Sequence, residues 1–159
     1  MDQSGTTFDT FVIERAFTAP PARVFAAFAD PAVKQRWFAQ GQTHDVERYT
    51  MRFKVGGREQ ASYRFRPSTP FPGVLLESDG EILDIVPGRR IVIASTMTIG
   101  GRRISAALQS FELSGADAGT RLLFTHQAAF FEGADGPAMR RAGWEQLFGQ
   151  LQGALADAA

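Results

Sequence analysis

The sequence predicts an α+β domain: seven antiparallel strands curled around one long C-terminal helix, with two short helices after the first strand. Three observations carry this. Apolar and polar residues alternate through most of the chain, the period of a half-buried antiparallel strand. The turn pairs Gly56-Gly57, Pro87-Gly88 and Gly100-Gly101 cut that alternation into hairpins. In "EGADGPAMRRAGWEQLFGQLQGALA" the period changes to about 3.6 and holds to the end of the segment.

Each element has its own signal. "FVIERAF" places Phe11, Ile13 and Phe17 on one face of a first strand, with Arg15 interrupting them. Pro20 and Pro21 stop that strand and open a helix, whose first turn needs no donor; Val24, Phe25 and Phe28 then fall at helical spacing. Asp30 and Pro31 read as the cap and first residue of a second helix carrying Val33, Trp37 and Phe38 and ending near Gly41. "VERYTMRFKV" sets Tyr49, Met51, Phe53 and Val55 on the inner face, and "REQASYRFR" does the same for Ala61, Tyr63 and Phe65. In "VLLESDGEILDIV", Gly80 marks a bulge or a close approach. "RIVIASTMT" and "RRISAALQSFEL" are the next strands, "SGADAGT" is a loop, and "RLLFTHQAAF" is the last strand, with Leu122, Phe124 and His126 on one face. On the closing helix Trp144, Leu147, Phe148, Leu151 and Leu155 form a stripe, and Gly149 and Gly153 project away from it. Those glycines read as tolerated on an exposed face. The alternative is a small-residue surface that a second copy approaches, so a homodimer stays open. No linker or repeat divides the chain, and residues 1–159 are expected to form a single domain.

Composition narrows the function. With 17 basic and 17 acidic residues the chain has no electrostatic footprint for nucleic acid or an anionic membrane. It has no cysteine, which removes disulfides and thiolate chemistry, and two histidines alone make a metal site unexpected. No membrane-spanning run or signal peptide is visible, so the expected location is the cytoplasm. The Gly-Gly pairs sit in hairpins rather than before helices, and no serine has a nucleophile-elbow context, so neither a phosphate cradle nor a serine hydrolase is indicated. No cofactor is expected. Phenylalanine, at 14 residues, suits either an aromatic core or the wall of an apolar pocket.

Geometry favours a hollow. One helix is about 10 Å wide, whereas seven strands about 4.8 Å apart span roughly 30 Å. The sheet must therefore curl around the helix, and a sheet curled that strongly tends to leave volume beneath it.

The segment "ERAFTAPPARVFAAFADPAVKQRWF" resembles the N-terminal signature of the START-like (SRPBCC) superfamily. Within it, the nearer likeness is to the homologues of the activator of heat-shock protein 90 ATPase. "FKVGGRE", "GEILDIVPGRRIV", "GTRLLFTHQAAF" and "GWEQLFGQLQGAL" resemble later motifs of that group in the same order, with departures at Lys54 and Phe38. The resemblance implies a helix-grip fold with a cavity between sheet and long helix, holding a small hydrophobic molecule of lipid-like or polyketide and aromatic character. It also admits a cyclase or dehydratase using the same cavity, and a co-chaperone that stimulates a chaperone ATPase.

The nominated contacts to such a molecule are Arg15, Trp37, Tyr49, Met51, Phe53, Tyr63, Phe65, Phe111, Phe124, His126, Trp144 and Phe148; Trp37 and Trp144 also read as packing residues, and Arg15 as the partner of an acidic ligand or of a carboxylate of the chain. His126 is the one candidate catalytic residue, as a general base or as an orienting group; the alternative is a hydrogen-bonded histidine at the pocket rim. His44 reads as a solvated loop residue. Glu14, Glu59, Glu77, Glu81 and Asp84 read as surface groups, with an inward turn of Glu81 or Asp84 left to the bulge near Gly80.

Overall fold

A computed structural model describes residues 5–157. Its elements run β1 (Thr7–Phe17), α1 (Pro21–Ala29), α2 (Pro31–Lys34), β2 (His44–Met51), β3 (Arg58–Phe65), β4 (Leu75–Val86), β5 (Arg90–Ile99), β6 (Arg102–Ala116), β7 (Gly119–Phe130) and α3 (Pro137–Asp157). The sheet order is β1-β7-β6-β5-β4-β3-β2, antiparallel throughout. Strands β2 to β7 form a meander, and β1 closes the edge beside β7. This is the expected α+β helix-grip arrangement.

Local chemistry starts and stops the elements as read. Pro20 and Pro21 open α1 without a side-chain cap. Asp30 caps α2 by accepting a hydrogen bond from the Ala32 N–H at 3.0 Å, satisfying one of the donors that a helix start leaves free. Beyond Lys34 the chain widens into a π-helical turn, Gln35–Ala39. Gly57 is obligatory at the first hairpin, because a Cβ there would collide with the Arg52 carbonyl oxygen.

Curling is visible in the pairing. Register shifts fall between Val46 and Arg48, between Ile82 and Asp84, and between Met97 and Thr98. Gly80 is not the bulge. It stays in register with Glu59 and Ser95, and the space its Cβ would fill is limited by the Ile93 Cγ2 at 3.0 Å, so it is a close approach. Neither nearby carboxylate turns inward: Glu81 is exposed and Asp84 pairs with Arg90 at 2.7 Å on the outer face. Two further expectations change. Val55 lies past the end of β2 and is exposed, and β6 continues through "SGA" to Ala116, leaving only a short turn before β7.

The interior divides into a solid half and a hollow half. In the solid half Phe28, Trp37, Phe111, Phe124 and Phe148 are all but fully buried and meet ring to ring at centroid distances of 4.9 to 6.4 Å. Leu151, Ala154 and Leu155 extend this packing along α3 toward α1. The Trp37 Nε1–H is satisfied by the Ala27 carbonyl at 2.9 Å. Arg23 of α1 donates to the Leu155 carbonyl, tying the two helices together.

Gly149 and Gly153 are exposed, and a Cβ at either would touch nothing within 4 Å. Alanine at each site is expected to raise stability by about 0.5–1 kcal/mol, read as a higher urea midpoint at unchanged slope. A loss instead would mean that another surface covers that face.

Candidate functional site

The hollow half holds a cavity of about 240 Å³ under the first turns of α3. Its floor is the inner face of the sheet: Tyr63 on β3, Leu76 and Ser78 on β4, Met97 on β5 and Gln109 on β6. Phe38 and His44 wall it on one side, and Arg140, Trp144 and Leu147 of α3 roof it. Exposed residues mark the mouth, among them Gln40, Gln42, Thr43, Met139 and Gly143. Larger dents elsewhere on the molecule lie on the outer face of the sheet and are lined chiefly by charged and small polar side chains.

Hydrogen bonds from α3 and from His44 hold the segment between α2 and β2 that walls this site. Gln150 on α3 donates to the Trp37 and Gln40 carbonyls at 2.8 and 2.9 Å, clamping the π-helical turn against the helix. His44 is not a solvated loop residue. It opens β2, its Nε2 lies 2.7 Å from the Ala39 carbonyl, and its ring sits 4.7 Å from that of Tyr63. Gly41 makes room for it, since a Cβ there would lie 2.7 Å from the His44 Cε1. Burial, and next the Glu59 carboxylate, push the Tyr63 hydroxyl above its ordinary value, so it stays protonated as a donor.

Of the residues nominated from the sequence, the cavity wall contains Tyr63 and Trp144. Trp37, Met51, Phe111, Phe124 and Phe148 belong to the solid core, and Phe53 packs against it from a half-buried position. Phe65 packs on Phe71 near the loop after β3. Arg15 faces inward but reaches α3, donating to the Glu145 carbonyl at 3.3 Å and to Gln152 Oε1 at 3.4 Å. Alternation along β-strands told which side chains point inward, but not which of them meet another ring and which meet space.

His126 points inward, and the ring is completely buried. It stacks on Phe11 at 4.6 Å, with Phe124 and Phe130 on its other sides. Neither ring nitrogen has a hydrogen-bond partner. Burial, helped by the Arg140 charge and opposed by Asp135, lowers its pKa to about 4, so at neutral pH it is an uncharged imidazole. It is not a rim histidine, and it does not line the cavity.

The sequence reading missed a buried ion pair. Lys34, 1% exposed, bonds both carboxylate oxygens of Glu59 at 2.8 and 3.1 Å, and Glu59 is 5% exposed. Tyr49 donates to the same carboxylate at 2.5 Å, an arrangement that, with burial as the larger cause, drives its own pKa upward. The Lys34 ammonium also lies 4.6 Å from the centre of the Phe38 ring, with Phe28, Trp37 and Phe111 within 6.0 Å. Phe38 is thus held from behind by the pair while it lines the cavity. One signal for Glu59 was available: it shares strand parity with Ala61 and Tyr63.

A sheet gripping one long helix, with a cavity between them, defines a helix-grip domain of the START-like (SRPBCC) type. The family model for Activator of Hsp90 ATPase homolog 1-like protein matches residues 18–156, and the chain belongs to that family. It is similar to an uncharacterised protein from Rhizobium leguminosarum, at 33% identity and a TM-score of 0.89 over 96% of this chain and 97% of that one. It is also similar to the Mll3558 protein of Rhizobium loti, at 37% identity and a TM-score of 0.83 over 94% and 99% of the two chains. DynU16, from the dynemicin biosynthetic locus, shares the fold at 18% identity and a TM-score of 0.61, over 93% of this chain and 47% of that one. No curated protein matches the chain. Among the described residues no helix is long and apolar enough to cross a membrane, and no cluster of three or more metal-binding side chains occurs.

Proposed function

We propose that this domain binds a small, mainly apolar molecule in the cavity beneath α3. The observation that carries the reading is the cavity itself, walled by Phe38, Tyr63, Leu76, Met97, Trp144 and Leu147, with His44, Ser78, Gln109 and Arg140 as polar side chains set among them. At about 240 Å³ it falls short of the ~300 Å³ at which pockets for drug-sized ligands begin, so the guest is small. Burying its apolar surface at about 25 cal/mol per Å² supplies most of the affinity. Binding is favoured over catalysis because His126, the one base nominated for a cyclase or dehydratase, is sealed behind phenylalanine rings outside the cavity wall. The ATPase-activating reading draws on the family name alone.

Titration with a dimethylaminonaphthalene dye, whose emission rises in apolar surroundings, tests this. A Cβ at Gly143 would meet nothing within 4 Å, and Gly143 borders the cavity, so Gly143→Phe fills the mouth without disturbing the helix. The dye is expected to saturate the wild type at one site and to bind Gly143→Phe at least tenfold more weakly, with thermal stability kept. Equal binding by both proteins would place the dye elsewhere and overturn the proposal.

A further inference from the structure

We infer that the guest carries an uncharged oxygen acceptor, such as a ketone or amide, which docks against Arg140 in the roof of the cavity. This rests on the binding reading above and adds the chemical class of the molecule bound.

Arg140 is an unusual residue to find roofing an apolar cavity. It is 7% exposed, and its fork is held rigidly. Its Nε donates to Asp135 Oδ2 and its Nη2 to Asp135 Oδ1, each at 2.8 Å; Nη2 also donates to Ser105 Oγ at 3.0 Å. The guanidinium plane is backed by the Phe130 ring, 5.1 Å away. These contacts use two of the three nitrogens. Nη1, with two N–H donors, has no partner among the described residues. Among the described residues, the buried side-chain nitrogens and oxygens that lack both a partner and open space are the two of His126, so Nη1 borders space. Since Arg140 lines the cavity and is otherwise buried, the cavity supplies that space.

Charge decides what an oxygen there must be. The Arg140–Asp135 pair is neutral as a unit, and the nearby imidazole of His126 is uncharged at neutral pH. A carboxylate guest would lose its hydration, meet no net positive charge, and lie close to the Asp135 carboxylate. A ketone or amide oxygen loses far less on entering and gains a hydrogen bond from a charged, already oriented donor. Gln109 complements this. Its Nε2 donates to Ser95 Oγ at 3.0 Å, leaving the amide oxygen of this cavity-floor residue to accept from a hydroxyl or N–H elsewhere on the guest.

Three probes built on one ring system test the inference: dimethylaminonaphthalene itself, the same ring bearing a propionyl ketone, and the same ring bearing a carboxylate. The ketone is expected to bind about tenfold tighter than the parent, the gain from one charge-assisted hydrogen bond, and tighter than the carboxylate by at least as much. Arg140→Lys keeps a positive charge opposite Asp135 but loses the fork, and is expected to abolish the ratio between ketone and parent. Should that variant fail to fold, the three wild-type affinities still decide. Equal affinity for ketone and parent overturns the docking of an oxygen at Arg140 while leaving the cavity reading intact. A preference for the carboxylate overturns the uncharged class. Failure of all three to bind overturns the cavity reading and this inference together.

Discussion

Glu59→Gln is expected to lower stability by about 3–5 kcal/mol, because it leaves the Lys34 ammonium buried without its counter-charge. The substitution keeps the shape of the side chain and an acceptor for Tyr49, so the loss reports on charge rather than packing. Lys34 sits at 1% exposure within 6.0 Å of four aromatic rings, and the ring faces offset only a fraction of what the carboxylate supplies. For a chain of this size the midpoint of thermal unfolding should fall by roughly 6–20 °C. The double variant Lys34→Met/Glu59→Gln removes both charges and is expected to recover most of the loss, since uncharged side chains of similar volume often replace a buried pair at little net cost. The cavity should weaken with the single variant, because the ammonium supports the Phe38 ring that walls it. A single-variant loss under about 1 kcal/mol would show that water reaches the pair and that it holds neither the core nor the wall.

His126 governs the second prediction, on pH. Its folded-state pKa of about 4 lies below the ordinary imidazole value of 6.5. As pH falls through 6.5 the unfolded chain takes up a proton that the folded chain refuses until about pH 4, so stability drops across that window and levels off beneath it. The total is about 3 kcal/mol, at 1.36 kcal/mol per pKa unit. His126→Leu removes this contribution and also removes two buried nitrogens that have no hydrogen-bond partner. The variant should therefore match or exceed the wild type in urea unfolding at pH 7, and its advantage should widen by about 2 kcal/mol or more between pH 7 and pH 4.5. Carboxylates titrate near the end of this range in both proteins, so the difference between the two curves is the quantity that reports on His126. Parallel curves would mean that the imidazole finds a partner or solvent in solution.

Much of the fold was legible because each local signal agreed with its neighbours. Proline at the start of α1, Asp30 before Pro31, glycine pairs at the hairpins and the change of period before α3 all act through nearby backbone, and all appear where they were expected. The exceptions share a cause. Val55 and the end of β6 depend on where a neighbouring strand stops, and a single strand's alternation carries no information about that.

The site was less legible. The size mismatch between one helix and a seven-stranded sheet pointed to a hollow, but it left out what α1, α2 and the π-helical turn would cover. They fill one side of the grip with Phe28 and Trp37, so the phenylalanine-rich interior is solid there, and the cavity lies under the N-terminal half of α3. Arg140 and Gln109 were passed over, and His44 was read as a solvated loop residue, because their roles draw on partners on other elements: Ser105, Ser95 and the Tyr63 ring. Glu59 was read as a surface group for want of its partner on another element.

By itself, then, the sequence determined the order of elements, the inward face of each strand and the family, since these follow from periodicity and from groups a few residues apart. Which inward residues pack together and which border the cavity was decided only by the tertiary structure. Packing depends on how several curved elements close on one another, and no single segment contains that information.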